Sequence, residues 1–140
     1  MRRLTILTHF RGRAAEPSGD PPRTSPRASS VSIDVVDDDG SAGPIERGSY
    51  ENQATFTGES TFAEAGLIRY DDGELHITTL TDGTLGPSAQ PGVLHGAALY
   101  RITEGGGRFD GASGLITSNF VLHPATGEYD ERQVTVVFLP

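Results

Sequence analysis

The 140-residue chain contains no cysteine and no lysine, and each absence excludes several kinds of chemistry. Without cysteine there are no disulfides, thiolate zinc sites, iron–sulfur clusters or cysteine nucleophiles. Without lysine there is no Schiff-base chemistry and no phosphate-binding loop of the kind that needs a lysine. No apolar run approaches the roughly 18 residues of a transmembrane helix. We therefore expect a cytoplasmic protein of about one domain.

Negative charge dominates the chain, whose formal net charge is −8. Residues 1–30 carry six arginines and two acidic residues, a balance of +4, whereas residues 31–140 carry five arginines and 17 acidic residues, a balance of −12. An acidic body repels phosphate groups, because each phosphate contact requires a cation from the protein. We expect neither a nucleic acid nor a membrane as a partner.

The first 30 residues differ in composition from the rest. Between Arg11 and Ser30 the chain has four prolines and otherwise no apolar side chain larger than alanine, so little burial would offset the entropy lost on ordering. The apolar patch Leu4–Leu7 is too short for the core of a secretory signal. We expect residues 1–30 to be a flexible arm rich in arginine and proline, and residues 31–140 to be the folded domain.

After Ser30 the sequence consists of short alternating stretches separated by turn residues, a pattern typical of β-strands. The pair Asp72-Gly73, for example, separates two such stretches by the short turn that hairpins prefer. Seven or eight antiparallel strands must protect their edges, and short connections favour pairing in chain order. The sequence therefore predicts an all-β fold, a closed antiparallel eight-stranded up-and-down barrel.

Alternation along the strands selects the side chains that would line the barrel. Even-numbered positions on the long stretches carry aromatic and aliphatic residues, mixed with small residues such as Gly96 and Ala98 that leave space. Apolar walls with a few polar groups are typical of ligand pockets, although the small residues could also fit the taper of a filled barrel. The candidate substrate-binding residues are Tyr50, Phe56, Tyr70, Ile102, Ile116, Ser118, Phe120 and Phe138, and the candidate catalytic residues are Tyr100 and Asn52.

A glycine-rich segment joins two strong strands and reads Ile-Thr-Glu-Gly-Gly-Gly-Arg-Phe-Asp-Gly-Ala-Ser-Gly from Ile102 to Gly114. Its glycines permit a tight reversal in which Phe109 would plug the barrel end and Arg108 would reach a carboxylate or carbonyl group. The segment resembles the hairpin of the allene oxide cyclase and dirigent barrels. That resemblance implies the same barrel for residues 31–140. Among the proteins with such barrels, the arginine-rich, lysine-free composition points to the bacterial natural-product cyclases, such as those that form spirotetronates.

The resemblance implies a cyclase of natural-product biosynthesis. We expect a linear, apolar, polyketide-like substrate to fold in the barrel and close a ring without a cofactor, for instance by a [4+2] cycloaddition. Holding the reacting ends together lowers the barrier, and hydrogen bonds from Tyr100 or Asn52 would stabilise charge on a substrate carbonyl. No catalytic residue of the plant enzymes matches a local motif, so none is transferred. The main alternative is a lipocalin-like carrier that binds a small hydrophobic molecule without chemistry, and a further one is an assembly module without enzymatic activity whose barrel is filled by side chains.

Two further features concern metals and subunits. His76, His95 and His123 lie on separate strands without ligand spacing, and the acidic stretch Val35–Glu46 matches a calcium loop only in part, so we expect no metal site. The last strand, Val134–Leu139, is apolar on both faces, which indicates that a second subunit covers its outer side. We expect a dimer or a trimer.

Overall fold

The computed structural model describes residues 1–14, 18–20, 27–37, 42–45 and 48–140. Within these ranges the chain forms β-strands and turns, and no helix there is long and apolar enough to cross a membrane. The strands are β1 (Arg2–Arg13), β2 (Arg27–Asp37), β3 (Ala42–Ile45), β4 (Gly48–Phe56), β5 (Thr61–Tyr70), β6 (Gly73–Thr79), β7 (Gly83–Pro87), β8 (Leu94–Gly107), β9 (Ser113–His123) and β10 (Glu128–Leu139).

Eight of these strands form a closed antiparallel barrel in which each strand pairs with its neighbours in chain order. The order around the ring is β1, β2, β4, β5, β6, β8, β9 and β10, and β10 returns to pair with β1. Two short strands complete the sheet. Strand β3 pairs with one end of β2, and β7 follows β6 in the same place in the ring, between β5 and β8, and pairs with both. The prediction of a closed eight-stranded up-and-down barrel is confirmed.

The strand that closes the ring comes from the segment expected to be a flexible arm. Strand β1 pairs with β10 along its whole length and with β2 along most of it. Leu4, Ile6 and Phe10 are buried in the core, and this burial offsets the entropy cost of ordering the segment. The expected arm over residues 1–30 is therefore wrong for residues 2–13, and for residues 27–30, which begin β2; residues 15–17 and 21–26 lie outside the described residues.

The glycine-rich hairpin between β8 and β9 closes one end of the barrel. Phe109 is fully buried there, with its ring centroid 5.0 Å from that of Tyr70. Arg108 covers the Phe109 ring at 4.5 Å, and its Nε lies 3.1 Å from a carboxylate oxygen of Asp72. Gly107 has φ +63°, a conformation that favours glycine. The predicted plug and the predicted arginine–carboxylate contact are both confirmed.

The outer surface of β1, β9 and β10 carries an apolar patch. Leu7 and Val134 are directly opposite each other in the register, so they point to the same side, and both are exposed. Phe138 was expected inside the barrel but is 39% exposed on this outer surface. His123 and Glu128 are paired, and the turn between them contains an even number of residues, 124–127. As a result, the inward-facing residues have even numbers on β9 and odd numbers on β10. We call this patch the outer apolar face: Leu7, Leu115, Val134, Val136 and Phe138.

Candidate functional site

An open cavity lies at the end of the barrel opposite Phe109. It has a volume of about 590 Å³ and is bounded mainly by the ends of strands and the turns that follow them. This volume is within the range of small-ligand pockets. Aliphatic and aromatic residues dominate its lining, among them Phe56, Leu85, Pro87, Leu94 and Leu122.

An aromatic pair spans the barrel beside this cavity. Phe62 is directly opposite Phe56 in the register of β4 and β5, and Phe120 is the next inward residue after Leu122 on β9. The rings of Phe62 and Phe120 meet edge to face, with centroids 5.9 Å apart and an interplanar angle of 67°. Strands β5 and β9 are three positions apart in the ring of eight, so this contact crosses the barrel interior.

Each ring of the aromatic pair lies over a glycine of the neighbouring strand. Gly96 is opposite Phe120, and a Cβ at Gly96 would be 2.7 Å from two Phe120 ring carbons. Gly83 is opposite Phe62, and a Cβ there would also come within 2.7 Å of a ring carbon. Real Cβ atoms do not approach carbon this closely, so the two glycines provide the space that the rings occupy.

Two buried carboxylates lie next to the aromatic pair, toward the middle of the barrel. Glu64 is the next inward residue after Phe62 on β5, and Glu131 on β10 is directly opposite Phe120. Their exposed fractions are 6% and 3%. Burying an ionisable group is costly unless hydrogen bonds stabilise it, so the groups that surround each carboxylate decide its chemistry.

Glu64 is held by side chains of the adjacent strand β4. Tyr50 Oη donates a hydrogen bond of 2.5 Å to Glu64 Oε1, and Asn52 Nδ2 donates to the same oxygen. The backbone N–H of Glu64 donates to Thr79 Oγ1 at 3.1 Å. Tyr50 and Asn52 are alternate residues of one strand, so the period of two places both on the inner wall.

Glu131 is held in the same way by β9 and β10. Ser118 Oγ donates to Glu131 Oε2 at 2.8 Å, and Gln133 Nε2 donates to that oxygen at 2.7 Å. Tyr100 completes the group, since its electrostatic interactions reach both carboxylates. We call these residues the polar cluster: Tyr50, Asn52, Glu64, Tyr100, Ser118, Glu131 and Gln133.

The two tyrosines of the polar cluster are neutral hydrogen-bond donors. Burial raises the pKa of Tyr50 and of Tyr100 well above the ordinary value of 10.0, and the nearby carboxylates of Glu64 and Glu131 raise each pKa further. A phenol with a raised pKa keeps its proton at physiological pH. The cluster can therefore accept a hydrogen bond from a substrate hydroxyl through a carboxylate, whereas a tyrosine can donate to a substrate oxygen only by exchanging its own hydrogen bond to Glu64.

The sequence-predicted site residues, apart from Phe138, all face inward, but they do not form one group. Tyr70, Ile102 and Ile116 pack in the core, with Tyr70 against the Phe109 plug and away from the open cavity. Among the described residues, no cluster of three or more His, Cys, Asp or Glu side chains could hold a metal ion. The remaining predicted residues are Phe56 at the cavity, Phe120 in the aromatic pair, and Tyr50, Asn52, Tyr100 and Ser118 in the polar cluster.

Sequence reasoning missed the two carboxylates. On β5 a signal existed, because Glu64 has the same even-numbered spacing as three large apolar or aromatic residues, Phe62, Ile68 and Tyr70. Residues with this spacing point to the same side of a strand. This signal is hard to recognise because polar and apolar residues alternate through Ser49–Phe62 as they would in one continuous strand, whereas β4 ends at Phe56 and β5 begins at Thr61. On β10 no local signal existed, since the inward parity there depends on the length of the preceding turn.

No protein-family model and no curated protein sequence matches the chain. The solved structure of a pterocarpan synthase dirigent protein is similar, with a TM-score of 0.50 and 16% sequence identity, covering 99% of this chain and 90% of that one. The fold is a dirigent-like barrel. At this identity the likeness concerns the fold alone, so it supports the dirigent part of the resemblance that the glycine-rich hairpin indicated.

Proposed function

We propose that this dirigent-like barrel binds a small, mostly apolar molecule and promotes its cyclisation without a cofactor. The observation that carries the proposal is the buried hydrogen-bonded group of Tyr50, Asn52 and Glu64 close to an open apolar cavity. An apolar cavity holds the body of a ligand, while a few fixed polar groups orient one end of it. The similar solved structure is of a protein named as a synthase, which agrees with a role in forming a product.

In the proposed reaction a linear polyketide-like substrate bends so that its reacting ends meet. A [4+2] closure converts three π bonds into two new carbon–carbon σ bonds and one π bond, with no net proton transfer, so it needs no general base. The barrel would contribute by holding the ends at reacting distance. The Tyr100 hydroxyl would exchange its hydrogen bond to Glu64 for one to a substrate carbonyl and stabilise the charge that develops on it.

A lipocalin-like carrier is the second candidate function. The observation that favours it is the full burial of Tyr50 and Tyr100, which are 0% and 1% exposed. A ligand that stays in the open cavity would touch neither hydroxyl, and it would be bound without being converted. The two functions therefore differ in whether the ligand passes the aromatic pair of Phe62 and Phe120.

The test uses a synthetic linear polyene that carries a diene, a distant alkene and a terminal ketone. Binding is measured by calorimetry, and product by chromatography with mass detection, since a cyclised product has an unchanged mass. We expect saturable binding, and ring formation that falls at least about tenfold in Tyr100→Phe, the loss of roughly one hydrogen bond to developing charge. The matched control is Tyr70→Phe, at the closed end of the barrel. Binding without product would favour the carrier, and absence of binding would overturn the proposal.

A further inference from the structure

Three polar atoms on the inner wall formed by β1 and β10 are buried without a hydrogen-bond partner in the described part of the chain. They are Thr8 Oγ1, Gln133 Oε1 and Thr135 Oγ1, on side chains that are 4%, 1% and 0% exposed. A buried polar atom without a hydrogen bond destabilises the fold, and native proteins leave few atoms in this state. Three together indicate a site at which another molecule supplies the missing bonds.

The three residues are neighbours. Thr8 is directly opposite Gln133 in the register of β1 and β10, and Thr135 is the next inward residue of β10. Side chains directly opposite each other lie about 4.5–5.5 Å apart at Cβ, close enough to bind one small group together. Gln133 Nε2 already donates to Glu131, so Gln133 Oε1 remains as the free acceptor. We call these three residues the threonine–glutamine wall.

The chemistry of this wall favours a neutral hydroxyl. A threonine hydroxyl both donates and accepts, whereas the glutamine Oε1 only accepts, so the complementary group must donate one hydrogen bond and accept another. The carboxyl group of Glu131 beside Gln133 disfavours an anion. Ile6 and Phe10 are the inward residues on either side of Thr8 and are fully buried, so the rest of the bound molecule must be apolar.

We propose that the threonine–glutamine wall binds the hydroxyl group of an otherwise apolar ligand. The inference rests on the proposed function, because the ligand enters the same barrel, and it adds a second point of attachment. Tyr50 and Asn52 lie on β4, three positions around the ring from β10. A substrate that carries a carbonyl group and a hydroxyl group on one chain would thus be fixed at two separate places, which determines how it bends.

The experiment compares two probes that differ by one hydroxyl, 2-naphthalenemethanol and 2-methylnaphthalene, with binding followed by probe fluorescence. We expect the wild-type protein to bind the alcohol about tenfold more tightly, the equivalent of one hydrogen bond. In Thr135→Val the preference should fall to about threefold or less, with the hydrocarbon affinity unchanged. Thr84→Val, on the exposed side of β7, is the control and should keep the full preference.

A second measurement separates the possible results. Since valine has the shape of threonine without the unsatisfied hydroxyl, Thr135→Val should raise the unfolding midpoint of the ligand-free protein. Equal affinity of the wild type for both probes would overturn the inference and leave the proposed function standing. Absence of saturable binding for both probes would overturn the two together. A lowered midpoint with an unchanged preference for the alcohol would mean that water alone occupies the wall, which also overturns the inference.

Discussion

Replacing Gly96 with alanine should destabilise the barrel, because the ring of Phe120 occupies the space that the methyl group needs. The new Cβ would lie 2.7 Å from two ring carbons and closer still to a third, Cζ, whereas ordinary contact begins at 3.4 Å, so the ring must move by more than 0.7 Å, the difference between these two distances. The movement would also disturb the edge-to-face contact with Phe62. Overpacking costs about 1–3 kcal/mol and an aromatic contact contributes about 0.5–1.5 kcal/mol, so we expect a loss of about 2–3 kcal/mol.

The loss is measured by urea unfolding and by thermal unfolding followed with circular dichroism. For a chain of this size it corresponds to a fall of roughly 6–12 °C in the melting temperature. The matched control is Gly86→Ala on the neighbouring strand β7, where no atom lies within 4 Å of the added Cβ. That variant should be unchanged, or more stable by up to about 1 kcal/mol, since alanine restricts the unfolded chain. Equal stability of the two variants would refute the placement of the Phe120 ring over Gly96.

Three further predictions concern other parts of the barrel. Burial raises the pKa of Tyr70 above its ordinary value, so above pH 10 this tyrosine ionises in the unfolded chain before it does in the folded protein, and the free energy of unfolding falls as pH rises. In urea titrations, Tyr70→Phe should lessen this fall by about 1.4 kcal/mol per pH unit, and an equally steep fall in the wild type and the variant would contradict the prediction. Phe109→Ala should cost about 3–5 kcal/mol in the same assay because it empties the closed end, while a cost near that of an exposed substitution would show that Phe109 is no plug. We also propose that the outer apolar face joins copies into a dimer or trimer, so that light scattering gives a multiple of 14.8 kDa that Val134→Asp reduces; a monomeric wild type at micromolar concentration would contradict this.

The barrel itself could be predicted because its strands alternate so regularly that period two is visible without any homologue. The first strand was missed for a physical reason. Thr8 interrupts the inward series of Leu4, Ile6 and Phe10, and the arginines at both ends give the segment the composition of a disordered tail. A strand that is stabilised by two long-range partners needs little local signal of its own.

The inward face of β10 and the polar cluster depend on information that is distributed along the chain. Val134–Leu139 carries large apolar residues on both faces, so only the length of the turn before it decides that Val137 points inward and Phe138 outward. Glu64 and Glu131 are tolerated inside because neighbouring side chains donate hydrogen bonds to them, and all of these donors except Gln133 lie on other strands. A sequence pattern read one strand at a time favours such residues on the surface, where an isolated carboxylate belongs.

Pairing of the first strand with the last has a consequence for how the protein is made. Arg2 lies opposite Leu139 in the finished barrel, so β1 emerges from the ribosome long before its partner has been synthesised. Contacts of such high sequence separation form late and slowly, and until then two strand edges remain open to pairing with other chains. Production should therefore be most successful under conditions that slow aggregation relative to ring closure, such as low temperature and dilute nascent chains.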